Sequence, residues 1–192
     1  MRHVISALVI NEPGVLANVA GMFAARGFNI DSLVVGRTDD PALSRMTIVV
    51  DADDNTLEQV RKQLAKLVPV TGVHDFAGSR YVERDLALVR IAATAGNRGE
   101  VIQIANVFGG RIVDVADISL IVELTGAEDK IEDFLELVRP YGVTELARTG
   151  VIAMARGIQP ASDPAQAGQA ASGSAKRKRS INAPPTVALP PS

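Results

Sequence analysis

Apolar positions follow two alternating rhythms over most of the chain and then stop. The runs HVISALVIN (3–11), FNIDSLVVGRT (28–38) and LSRMTIVVD (43–51) are rich in β-branched residues, which suit a pleated and half-buried surface, so they predict strands. Between the first two, Val15, Val19, Met22 and Phe23 share one helical face from Pro13 to Arg26, and Gly27 is placed to stop that helix. Leu57, Val60, Leu64 and Leu67 repeat the helical spacing over about 55–67, and a strand after Pro69 completes the order βαββαβ.

After a turn around Ala77 to Arg80 the order recurs. DLALVRIAA (85–93) predicts a strand, and Val101, Ile104, Ala105 and Phe108 mark a helix over about 98–108. Then come strands in RIVDVADI (111–118) and LIVEL (120–124), a helix turning Ile131, Phe134, Leu135 and Val138 inward, and one last strand within VTELARTGVIAMARG. GFNID at 27–31 and GRIVD at 110–114 echo each other. The expected fold is therefore α+β, with two ferredoxin-like βαββαβ units over 1–77 and 78–157. In HVISALVI both alternating sets are apolar, whereas a sheet covered on one side should be half polar. Its second face should meet another surface: the two units pack together, or, as the sharper expectation, the chain forms a homodimer.

From Ile158 the rhythm ends in a stretch dominated by Ala, Pro, Ser and Gly, which cannot bury enough surface to offset its ordering entropy. Residues 158–192 are expected to be disordered. With 192 residues and 47% apolar content, the rest can build real cores. The formal charge of −2 becomes about −5 once the tail, with one Asp and four basic residues, is set aside. No basic stripe marks a nucleic-acid or membrane-surface binder, and no apolar stretch reaches the roughly 20 residues of a membrane span. The absence of Cys excludes disulfides, thiolate nucleophiles and Cys-ligated zinc, and suits a cytoplasmic protein.

Catalytic chemistry is hard to find. None of the P-loop, dinucleotide, HExxH or GxSxG patterns occurs. DADDN (51–55) begins like a calcium loop but has Thr56 where the turn wants Gly and Lys62 where a bidentate Glu belongs, so it reads as the cap of the second helix, with Thr56 and Gln59 spaced as a capping box. TDDPALSR (38–45) reads as a hairpin turn, and Lys176 to Arg179 as a solvated charge cluster.

The stretch NEPGVL (11–16) is different. Pro13 has no N–H and Gly14 no side chain, so the amides of Gly14, Val15 and Leu16 stand unobstructed at the positive end of a helix, a ready place for a carboxylate. Asn29, and Asn11 from the loop, carry amide oxygens able to accept from an ammonium. Plain capping would account for the same residues. The matching loop of the second unit, TAGNRGE, has no Pro-Gly pair, and Ile112 stands where the first unit has Asn29.

NEPGVL, RGFNIDSLVV (26–35), TDDPALSRMTIVV (38–50), EQVRKQLAKLVPV (58–70) and ARTGVIAMARG (147–157), in that order, resemble the small regulatory subunit of acetolactate synthase (acetohydroxyacid synthase). The resemblance covers residues 1–157, and NxPGVL alone is similar to the effector loop of ACT domains generally. It implies an N-terminal ACT domain that pairs with a second copy and binds a branched-chain amino acid, chiefly valine. Asn11, Gly14, Val15 and Leu16 would come from one chain, and Asn29 and Ile30 from its neighbour. It also implies a non-catalytic chain without cofactor, which activates a large catalytic subunit holding thiamine diphosphate, magnesium and FAD and makes it sensitive to its end product. The rival readings are a free-standing ACT-type amino-acid sensor, a small enzyme on the same scaffold, and DNA binding through the basic cluster.

Overall fold

The computed structural model describes residues 1–157. β1 (Arg2–Ile10) leads into α1 (Val15–Ala24), followed by β2 (Ser32–Arg37), β3 (Leu43–Asp51), α2 (Asp54–Leu64) and β4 (Val70–Asp75). These strands form one antiparallel sheet in the order β2-β3-β1-β4, with β2 at an edge. Ile5, Ala7 and Val9 of β1 and Met46, Ile48 and Val50 of β3 form the sheet side of a core. Val19 and Phe23 of α1 and Val60 and Leu64 of α2 close it from above. Each fully buried aliphatic or Phe side chain contributes roughly 1.5–3 kcal/mol.

The second unit repeats the plan. β5 (Tyr81–Ala92), α3 (Arg98–Val107), β6 (Arg111–Val115), β7 (Ser119–Gly126), α4 (Glu128–Val138) and β8 (Val143–Arg148) give the sheet order β6-β7-β5-β8. Val89, Ile91, Val122 and Leu124 face Val101, Ala105, Ile131 and Phe134 in a separate core. The expected pair of ferredoxin-like units is present.

Several boundaries differ from the expectation, each for a local reason. α1 begins at Val15, after a left-handed Gly14 (φ 85°), and not at Pro13. α2 is capped by Asp53, whose carboxylate accepts from the Thr56 amide at 2.7 Å, so the Thr56–Gln59 capping box is replaced by a cap three residues earlier. β2 starts at Ser32 because Gly27 turns the chain at positive φ and Phe28 packs edge-on against Phe23, leaving Asn29 to Asp31 irregular.

The largest correction lies at the end of the described chain. In place of one last strand there are two, β8 and β9 (Ile152–Ala155), separated by a bend at Thr149 to Val151. β9 does not extend the second sheet but pairs with the first residues of β5, Tyr81 to Arg84. This ribbon packs against the helix-free face of the first sheet, where Val151 and Ala153 bury Val4, Val49 and Phe76. The apolar second face of β1 is thus covered, in part, from within the chain. The tail expected to be disordered and the cluster from Lys176 to Arg179 lie outside the described residues.

Candidate functional site

The loop between β1 and α1 is held from behind. The Asn11 amide donates to the Ala42 carbonyl at 2.8 Å, and Asn11 Nδ2 donates to the Pro41 carbonyl at 3.1 Å. The β2–β3 turn is therefore a buttress for the loop as well as a hairpin. Asp40 stiffens that turn by accepting from the Ala42 amide at 2.9 Å. Sequence reasoning saw the turn but not this tie; it uses one of the two Nδ2 hydrogens and orients the amide, while among the described residues no donor reaches the Asn11 side-chain oxygen.

Pro13 and Gly14 are exposed, and a Cβ added to Gly14 would meet no atom within 4 Å. The Asn18 amide closes the first turn onto the Gly14 carbonyl at 3.0 Å, and the Val15 amide makes a long contact of 3.5 Å to Glu12. Among the described residues the amides of Gly14, Leu16 and Ala17 meet no protein acceptor. α1 has no side-chain cap and no acidic residue in its first turn, so among the described residues no side chain caps that positive end. Val15 buries its side chain in the core and can offer only its backbone. Leu16 beside it is 47% exposed.

Asn29 and Ile30 lie beyond the other end of α1. Asn29 Nδ2 donates to Asp31 Oδ1 at 2.7 Å, and Ile30 packs partly against the first core. α1 has ten residues and so separates the two groups by about 15 Å. Within one protomer the structure does not bring them together. Grooves of about 420 Å³ between Val34, Arg45, Arg84 and Met154, and of about 310 Å³ between Asp31, Asp85 and Arg148, are lined by other residues.

The second unit fills the matching corner with its own side chains. Arg98, at the start of α3, donates through Nη2 to the carbonyls of Ala93, Ala116 and Asp117 at 3.1, 2.7 and 2.7 Å. Asn97 Oδ1 accepts from the Thr94 amide at 2.7 Å. The missing Pro-Gly pair hinted at this difference, but the guanidinium plug itself was not anticipated.

Residues 5–72 match the family model of the AHAS small subunit-like ACT domain, and residues 84–157 match that of the small subunit of acetolactate synthase. A probable acetolactate synthase small subunit of Archaeoglobus fulgidus is 54% identical over 82% of this chain and 98% of its own length. The chain belongs to the acetolactate synthase small-subunit family. The acetolactate synthase small subunit of Mycolicibacterium smegmatis is 45% identical, over 81% of this chain and 91% of its own. The crystal structure of the acetolactate synthase small subunit of Thermotoga maritima superposes with a TM-score of 0.76 at 42% identity, covering 83% of this chain and 99% of that one. Among the described residues, no three His, Cys, Asp or Glu side chains gather closely enough to hold a metal ion, and no helix is long and apolar enough to cross a membrane.

Proposed function

We propose that this chain is a non-catalytic regulatory subunit that binds valine at the start of α1, activates the catalytic subunit of acetolactate synthase and confers end-product inhibition on it. The observation that carries the reading is the set of unpartnered amides behind a left-handed, unshielded Gly14, in a chain of this family. These amides and the helix dipole take the carboxylate. Asn11 and Asn29 offer side-chain oxygens to the ammonium, and Leu16 and Ile30 an aliphatic wall to the isopropyl group, whose burial contributes roughly 1.5–3 kcal/mol.

The topology supports a site shared between two copies. β1 and β2 both run antiparallel to β3, so the end of β1 that leads into α1 lies at the same end of the sheet as the last residues of β2, and Asn29, before β2, lies toward the opposite end of the strands. Pairing two β2 edges antiparallel across a two-fold axis brings the neighbour's Asn29 and Ile30 to the end where Gly14 stands. The homodimer through residues 1–77 is therefore part of this reading. In it the second unit, 78–157, carries the signal onward without binding a ligand of its own, since Arg98 fills the matching corner. Thiamine diphosphate, magnesium and FAD belong to the catalytic partner, and both chains work in the cytoplasm.

Reconstitution with a catalytic subunit tests the reading. Acetolactate formation should rise when this chain is added and fall again with valine. Turnover by the isolated chain, or no effect on the catalytic subunit, would contradict it.

A further inference from the structure

The strand that follows Asn29 and Ile30 is fastened directly to the second unit. Ser32 opens β2, three residues after Asn29, and its Oγ accepts from the Val151 amide at 3.2 Å. Beside it, Gly150 holds φ at +85°, and a Cβ built there would stand 2.5 Å from Ser32 Oγ and 3.0 Å from Val34. The contact is closed to the last atom, and close-packed contacts pass a displacement on because they have no void to absorb it.

The bend is as firmly held on its other side. Asp85, with a side chain only 1% exposed, accepts from Arg148 Nε at 2.7 Å, Thr149 Oγ1 at 3.1 Å and the Gly150 amide at 3.1 Å, while Arg148 Nη2 lies 2.6 Å away. Asp85 sits on β5, the strand that pairs with β7, β8 and β9. Arg148 also reaches Glu132 of α4 through Nη1 at 2.5 Å. A shift at Ser32 therefore has a route through one bend into the middle strand and a helix of the second unit.

We propose that Ser32, Gly150 and Asp85 are positioning residues that couple the amino-acid site to the second unit, so that bound ligand is read out through the β8–β9 bend. This rests on the proposed valine site and specifies how its occupancy is regulated outward. Coupling of this kind is a free energy separate from binding, so the two can be lost separately.

The test uses the full chain reconstituted with its catalytic subunit, with valine affinity measured by calorimetry and residual acetolactate formation measured at saturating valine. Ser32→Ala removes the acceptor for Val151. It should keep valine affinity within about twofold of wild type while residual activity at saturating valine rises at least threefold. Gly150→Ala adds a clash and a strained φ, so its folding is checked by thermal melting. The double variant Ser32→Ala/Gly150→Ala removes the oxygen that clashes most and should regain part of the lost melting temperature, the tight contact with Val34 and the positive φ remaining, while staying uncoupled. A purely structural role would lower melting temperature without separating affinity from inhibition. Full inhibition of Ser32→Ala with unchanged affinity would overturn the proposal, as would affinity and inhibition lost in proportion. If wild type itself neither binds valine nor is inhibited by it, the valine site falls first and the coupling with it.

Discussion

Asn29 Nδ2 donates to Asp31 Oδ1 across 2.7 Å, which fixes the orientation of the amide and leaves its oxygen without a protein donor among the described residues. An ammonium group is the partner that such an oxygen suits. Asn29→Ala should weaken valine binding about tenfold or more, the effect of losing one hydrogen bond to a charged group. Asp31→Ala leaves the oxygen in place but unfixed, so it should cost less than Asn29→Ala. Calorimetry on both variants checks the order, and equal losses would contradict it.

Gly14 separates backbone strain from ligand chemistry. Gly14→Ala meets open space but must hold a left-handed φ, which should cost about 1–2 kcal/mol of stability. Its inhibition by valine should survive with at most about a tenfold loss of affinity. Gly14→Asp puts a carboxylate where the ligand's own should lie, so inhibition should disappear while activation of the catalytic subunit persists. Thermal melting and assays of the reconstituted enzyme distinguish the two, since Asp tolerates this conformation better than Ala and should melt no lower.

Asp85 should matter for stability far more than the other carboxylates around Arg148. Its side chain is 1% exposed, whereas Glu132, bonded to the same arginine, is 55% exposed. Asp85→Asn should cost about 3 kcal/mol by leaving a partly buried guanidinium without its main counterion, and Glu132→Gln well under 1 kcal/mol. Urea unfolding midpoints at constant slope measure both.

Asp53 gives α2 an acid-sensitive start. Hydrogen bonding from the Thr56 backbone amide holds its carboxyl below the usual carboxylate value. A depressed native value means that the stabilisation is present above the ordinary carboxylate range and is lost as pH falls through the lowered one. Asp53→Asn keeps a capping oxygen that does not titrate. Melting curves from pH 7 downward should therefore show wild type losing more stability in acid than Asp53→Asn. Parallel curves for the two proteins would show that the cap does not titrate with folding.

Periodicity sufficed for the two cores, because Val19, Phe23, Val60 and Leu64, and likewise Ile131, Phe134 and Val138, repeat at helical spacing against strands rich in Val and Ile. Local patterns could not reveal where a strand changes partner. VTELARTGVIAMARG reads as one β-like run, and only the distant contacts of Asp85 with Arg148 to Gly150, and of Ser32 with Val151, break it into β8 and β9. The loop before α1 was legible because Pro13 and Gly14 have purely local meaning. Its support by Pro41 and Ala42 was not, since a carbonyl in a remote turn leaves no mark on composition. The same holds for Arg98, whose three carbonyl partners come from two loops.

The most direct measurement is calorimetric titration of the folded full-length chain with valine, paired with sedimentation to fix its oligomeric state. A dimer that takes up one valine per protomer, with binding abolished by Gly14→Asp, is the predicted result. A well-folded dimer giving no saturable heat with valine, leucine or isoleucine, or a monomer that binds as tightly as the dimer, would contradict a site built from the amides behind Gly14 and the neighbour's Asn29.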